Sequence, residues 1–240
     1  MSEYSVRTAA LIGEAAVERL KGCHVAVFGI GGVGSFAVEA LARAGVGELS
    51  LFDGDVVEKS NINRQLIALR STVGRHKAEV AKERIADIFP ETLVHAYNLF
   101  VTPENIGEID FSGFDYCLDA VDTVSAKLAI IERCSKSGVP VLSCMGAGNK
   151  LDAFAFKICP IEKTDTCPLA RVMRRELKAR GISGTEVIFS RELPVQTHGG
   201  ETRASGRPAP ASISFIPSVA GLEAGGYIVM SLIKDKPPAC

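Results

Sequence analysis

The stretch Phe28–Gln65, FGIGGVGSFAVEALARAGVGELSLFDGDVVEKSNINRQ, decides how this chain folds. It leaves an apolar run, His24–Gly29, and meets four glycines in close succession: Gly29, Gly31, Gly32 and Gly34. Helical spacing follows as far as Gly45, and a second apolar run, Glu48–Asp53, closes the unit. Between a strand and a helix, glycines permit a tight turn and let backbone N–H groups approach phosphate oxygens at the positive end of the helix. Dinucleotide sites use the same turn with an acidic residue about 20 positions further on, a place that Asp53 fills. The glycines and Asp53 therefore announce a nucleotide without naming it.

The residues after Asp53 separate a redox cofactor from a triphosphate. A dehydrogenase needs only the ribose-binding carboxylate there, whereas this chain continues DGDVVEKSNINRQ and then GRHKAE. Asp55, Asn61, Arg64, Gln65 and Lys77 are gathered behind one strand. An amide, a fork-shaped cation and a point cation suit a group that carries several negative charges and gains more in a transition state. Further on, LDAVDTVSAK supplies Asp119 and Asp122 at the end of another strand, where a carboxylate is placed to hold Mg2+ against phosphates.

Outward from this unit, short β-rich runs alternate with helical patterns, the signature of an α/β fold with a doubly wound, mainly parallel sheet. Strands are expected at 92–98, 115–120 and 140–146, and helices at 74–90 and 125–138. Residues 1–148 are thus expected to form a Rossmann-like ATP-binding domain. The grammar then changes: a strand at 153–158, a helix from Pro168 to Gly181, a strand at 185–190, a Gly/Pro/Ser/Thr-rich mobile loop at 196–212, and a strand running into an apolar closing helix over 213–233. Residues 149–240 are read as a C-terminal extension of strands and helices that binds substrate and packs on the first domain.

With 27 basic and 28 acidic side chains, the chain is not the polycation that tight non-specific nucleic-acid binding requires. No apolar stretch approaches the roughly 20 residues of a membrane span, and Met1–Gly13 lacks the pattern of a signal peptide, so the reading is cytoplasmic with no membrane partner. The seven cysteines form no Cys-x-x-Cys pair, which disfavours structural zinc. His24, His76, His95 and His198 suggest no cluster.

The motifs GIGGVGS, LFDGDVVEKSNINRQ, GRHKAEVAKERI and DAVDT resemble the adenylating superfamily of ubiquitin-activating enzymes and the thiamine and molybdopterin sulfur-carrier adenylyltransferases. That resemblance implies that Asp53 binds the ATP ribose, that Asn61, Arg64 and Lys77 bind the phosphates, and that Asp122 holds magnesium. Arg7 in YSVRTAALIG resembles an arginine that such homodimers contribute across the interface to the neighbouring γ-phosphate. The chemistry implied is attack of a carboxylate on the α-phosphate, giving an acyl adenylate and pyrophosphate. No general base is needed, because a carboxylate is already an anionic nucleophile at neutral pH.

Sulfur-carrier adenylyltransferases usually carry two Cys-x-x-Cys pairs late in the chain, and this sequence has none. Its SCMGAGNKLD, IEKTDTCPLARVMRRELKARGI, VIFSRELPV and SISFIPSVAGLEAGGYIV instead resemble one branch, the tRNA threonylcarbamoyladenosine dehydratases. The resemblance implies ATP-dependent activation of the threonyl carboxylate beside the anticodon, ring closure and loss of AMP. It also makes tRNA, a second copy of the chain and sulfur-transfer proteins the expected partners. Cys167 stands where that branch commonly has an acidic residue, and no role is assigned to it. Between Lys163 and Arg191 seven basic residues face three acidic ones, either an RNA-contacting patch or an amphipathic helix with Leu169, Val172, Met173 and Leu177 inward. Cys144 reads as an acyl-accepting thiol only if the route has a covalent intermediate, which intramolecular cyclisation does not need. The alternatives to the dehydratase are an adenylyltransferase acting on a small carrier protein's C-terminus, an NAD-dependent oxidoreductase, and a silent binding module.

Overall fold

The computed structural model describes residues 3–199 and 210–234. Two short helices, α1 (Val6–Ile12) and α2 (Glu14–Lys21), lead into seven strands, β1 (His24–Phe28), β2 (Glu48–Phe52), β3 (Leu93–Tyr97), β4 (Tyr116–Asp119), β5 (Val141–Cys144), β6 (Phe156–Pro160) and β7 (Glu186–Ser190). They form one sheet in the order β3-β2-β1-β4-β5-β7-β6, parallel throughout except for β6, which runs antiparallel to β7. Strands covered on both faces read as continuous apolar runs rather than alternating ones. β1 shows this: Val25, Ala26, Val27 and Phe28 are all fully buried.

The helices between strands are α3 (Gly34–Ala44), α4 (Lys77–Ile88), α5 (Val124–Ser137) and α6 (Pro168–Ala179), with α7 (Phe215–Ile233) closing the described chain. α3 ends at Gly45, whose φ of +89° is the left-handed conformation that terminates helices. Phe156 on β6, Ile188 on β7 and Ile216 on α7 join the same apolar core as Val25 and Val27 on β1.

Four sequence expectations are corrected here. The segment before α7 is not a strand: Ile213 and Ser214 lead directly into the helix, whose first turn tolerates Pro217 because the N–H it lacks would have had no helical partner. β6 starts at Phe156 after a single tight turn over Ala153–Ala155. On α6, Met173 and Leu177 are buried, but Val172 faces outward. And α7, with 19 residues and a mean hydropathy of 1.4, is by length and composition long and apolar enough to cross a membrane. Its apolarity has a structural use, since Ile216, Ala220, Ala224 and Ile228 are buried in the core beside α3. The two helices pack so closely that a Cβ added at Gly221 would lie 2.3 Å from the Val33 carbonyl oxygen. Most of the expected loop at 196–212 lies outside the described residues.

Candidate active site

Register carries the site. Phe28 pairs with Phe52 on β2 and with Asp119 on β4, so Gly29, Asp53 and Ala120 leave the sheet side by side. The strand order reverses between β1 and β4, and open parallel sheets bind ligands at such a point beyond the carboxyl ends of their strands. A cleft of about 810 Å³ lies there. Its walls include the β1–α3 turn, Asp53–Val56, Ala120–Val124 and Cys144–Gly148, with Pro210, Ser212 and Pro217 from the last segment.

The glycines divide by role. Gly29 has φ +90°, and a side chain there would strike the Ala120 carbonyl oxygen at 2.8 Å. Gly34 seats α3 against the turn so closely that a Cβ would lie 1.8 Å from the Gly29 oxygen. Gly31 has neither constraint: its nearest neighbour would be Gln65 Nε2 at 3.7 Å, an ordinary contact. The space and backbone conformation at position 31 do not demand a glycine.

Asp53, one residue beyond β2, is buried, and its carboxylate accepts from Ile30 N at 2.6 Å and from Asp55 N at 2.8 Å. Burial pushes its pKa above the ordinary range, while the Lys77 charge and the two N–H bonds pull it back. Lys77, the first residue of α4, is buried, and its Nζ donates to Asp55 Oδ2 at 2.8 Å. Asp55 itself is half exposed, so the lysine is tethered by a group that water or a ligand can reach.

The tight turn Lys59–Asn61 and the residues after it supply the polar group seen in the sequence. Asn61 Oδ1 accepts from Glu58 N at 3.2 Å, and Arg64 Nη1 donates to Ser60 O at 3.0 Å and Asn63 Oδ1 at 2.9 Å. Gln65 Oε1 is buried against the cleft with no hydrogen-bond partner among the described residues. Asp53, Asp55, Asn61, Arg64, Gln65, Lys77 and Asp122 all line this one cleft. Arg7 does not; it is exposed on α1.

The two carboxylates of LDAVDT part company. Asp122 lines the cleft, while Asp119 lies beneath it, wholly buried, with its Oδ2 accepting from Lys127 Nζ at 3.0 Å and from the Ser143 hydroxyl. Lys127 was not singled out from the sequence, because a lone lysine in SAKLAII gives no sign of being turned inward. The aromatic and apolar wall of Leu99, Phe100 and Val101 was likewise unread. No group of three His, Cys, Asp or Glu able to hold a metal occurs among the described residues.

Cys144 lines the cleft, but burial pushes its thiol up to about 12, with Asp119 adding to the effect and Lys127 opposing it. It is a protonated thiol at neutral pH, unsuited to nucleophilic attack. In the basic stretch, Arg174 donates to Thr164 O, Arg180 pairs with Glu132 and Glu176, and Arg191 pairs with Asp165. Lys163, Arg171 and Lys178 are exposed.

The ThiF family model matches residues 4–237. The tRNA threonylcarbamoyladenosine dehydratase of Bacillus subtilis (strain 168) is 48% identical over 234 residues, 93% of this chain and 92% of that protein. The structure of the Escherichia coli tRNA N6-threonylcarbamoyladenosine dehydratase TcdA in complex with ATP superposes with a TM-score of 0.86 at 36% identity, over 95% of this chain and 92% of the other. The adenylyltransferase and sulfurtransferase UBA4 of Saccharomyces cerevisiae (strain YJM789) is 36% identical over 138 residues, 58% of this chain and 31% of that protein.

Proposed function

The chain belongs to the ThiF family, and from that footing we propose that it is an ATP-dependent enzyme that dehydrates threonylcarbamoyladenosine in tRNA. The observation that carries the ATP half is the convergence of Arg64, Lys77 and Asp122 on the cleft beside the β1–α3 turn. The substrate half rests on a relative matched along nearly its whole length, where the match to the adenylyltransferase and sulfurtransferase UBA4 stops at 31% of that protein.

In this reading the buried Asp53 takes the ribose hydroxyls, and Leu99 and Phe100 give the base an apolar wall. The first turn of α3 turns its N–H groups toward the phosphates. Arg64 and Lys77 neutralise the charge that builds as the threonyl carboxylate oxygen attacks the α-phosphorus and pyrophosphate leaves. Positioning and charge neutralisation are what in-line displacement at phosphorus demands. The resulting acyl adenylate is then attacked by the urea group of the same substituent; AMP departs with the former carboxylate oxygen, and the nitrogen gives up its proton. The net change in the nucleoside is loss of water.

The donor set also fits Mg2+ bound with the phosphates. Asp122 would hold the ion, whose chemistry there is to offset phosphate charge, and magnesium usually takes one or two carboxylates and keeps several waters. Residues 149–240 are assigned to substrate binding, with the exposed Lys163, Arg171 and Lys178 as phosphate contacts. Arg7, exposed and outside its own chain's cleft, is assigned to the neighbouring site of a homodimer. A monodisperse monomer with full activity in scattering measurements would remove that assignment. Sulfur-transfer partners follow from the family resemblance, and a cytoplasmic setting follows from a tRNA substrate.

The deciding experiment is mass analysis of nucleosides from threonylcarbamoylated tRNA incubated with the protein and Mg-ATP. An ATP-dependent loss of one water that falls at least about 100-fold in Arg64→Ala supports both halves. Pyrophosphate release with a Gly-Gly-ended carrier protein, and none with tRNA, would move the assignment to the carrier-protein adenylyltransferases.

A further inference from the structure

Lys127 and Asp119 are both wholly buried, a state that charged side chains almost never reach unless paired. Lys127 Nζ lies 3.0 Å from Asp119 Oδ2 and 2.6 Å from the carbonyl oxygen of Cys144. The remaining acceptor capacity of Asp119 is also used: Oδ2 takes the Ser143 hydroxyl, and Oδ1 takes Val121 N at 3.2 Å. Desolvating two ions is costly, and apolar side chains of the same shape often hold a core equally well or better. Holding β4 against α5 does not by itself call for an ion pair. What the pair supplies and an apolar contact cannot is direction, at two backbone groups.

Those two groups belong to the facing walls of the cleft. Val121 N lies in the loop Ala120–Thr123 that carries Asp122, and Cys144 O is the point from which Met145–Gly148 departs. We propose that the Lys127–Asp119 pair is a positioning device that sets these two loops against each other, and with them Asp122 relative to the cleft wall beyond β5. Lys127 and Asp119 do not touch the nucleotide; they act through Val121 and Cys144. The pair also neutralises Asp119, so that Asp122 is the acidic group the β4 end presents to the cleft. The proposal rests on the ATP-activating reading given above, and it extends that reading to residues beneath the site.

The test uses the double variant Asp119→Asn/Lys127→Met, which removes both charges, keeps the shape at position 119 and shortens position 127 by one atom. Lys127→Met alone leaves a buried unpaired carboxylate and serves as the destabilised reference. Hydrogen exchange is measured at the Val121–Thr123 and Met145–Gly148 amides and at those of β1 and β2, with kcat and KM for water loss measured alongside. In the double variant we expect retained protection in β1 and β2, faster exchange in both loops, and kcat lowered about 10- to 100-fold with little change in the tRNA KM, as for a misplacement of about 1 Å. Unchanged loop exchange with unchanged kcat overturns the proposal, as does loss of protection in β1 and β2 together with the loops, which would make the pair a plain core contact. If the wild-type protein yields no water loss, the dehydratase reading fails, and the exchange measurement still decides the positioning role.

Discussion

Substituting alanine for Gly31 and, separately, for Gly34 tests whether the β1–α3 turn is a ligand cradle or only a fold element. At Gly31 the new methyl would meet Gln65 Nε2 at 3.7 Å, and the backbone is outside the left-handed region. Such a substitution restricts the unfolded chain and is worth about 0.4–1 kcal/mol of added stability. At roughly 2–4 °C per kcal/mol for a chain of this size, the melting temperature should hold or rise by a few degrees. A phosphate packed directly over the residue 31 backbone would be displaced by the new methyl, lengthening a hydrogen bond that forms at about 2.9 Å. Losing one charge-assisted hydrogen bond costs about 1.5–3 kcal/mol, equivalent to roughly 10- to 150-fold in affinity. Gly34→Ala should behave oppositely, because its Cβ would lie 1.8 Å from a backbone oxygen that cannot yield. Overpacking of that kind destabilises by about 1–3 kcal/mol or more. Thermal melting and calorimetric titration with Mg-ATP read both variants. A folded Gly31→Ala protein that binds Mg-ATP within about twofold of wild type would refute the reasoning, since a 10-fold loss is its lower bound.

Three further outcomes are expected. Lys77→Met removes the cation bonded to Asp55 and the charge that restrains Asp53, so turnover should fall about 10²- to 10³-fold and the Asp53 carboxyl, followed by NMR, should titrate at higher pH than in the wild type. Cys144→Ala should keep turnover within about tenfold of wild type, and iodoacetamide should leave Cys144 unlabelled in the native protein at neutral pH, as a buried thiol pushed up to about 12 requires. His24, half-buried among Ser50, Glu48, His95 and Phe114, has its pKa lowered from 6.5 chiefly by burial. The unfolded chain therefore binds the proton first, and stability contributed by this site declines as pH falls below about 6.5; urea midpoints between about pH 7.5 and 5.5 should show a shallower decline in His24→Gln.

How much of this was legible in the sequence depends on whether a residue's role is local. Strand, turn and helix around Phe28–Gln65 are written in nearest-neighbour terms, and the cleft gathers Asp53, Asn61, Arg64, Gln65 and Lys77 because they follow one strand and its crossover. The N-terminal pair of helices and the true start of α7 were not read. Ile213–Ile216 offers too short a run to tell alternation from a helix end, and only burial against α3 decides it.

Long-range electrostatics were the harder part. LDAVDT offers two carboxylates three positions apart, and nothing local says which faces the phosphates. The answer lies in Lys127 and Ser143, eight and 24 residues from Asp119, whose donors draw Asp119 under the sheet edge and leave Asp122 at the cleft. A lysine that the sequence does not single out, Lys127, thus holds Asp119 away from the cleft. The same logic separates the cations: Lys77 is restrained by a half-exposed carboxylate that an anionic ligand can displace, whereas Lys127 is held by a buried one that it cannot. In the proposed reading only the first moves onto a phosphate, so charge neutralisation in the cleft falls to Lys77 and Arg64, and Lys127 keeps the walls in place.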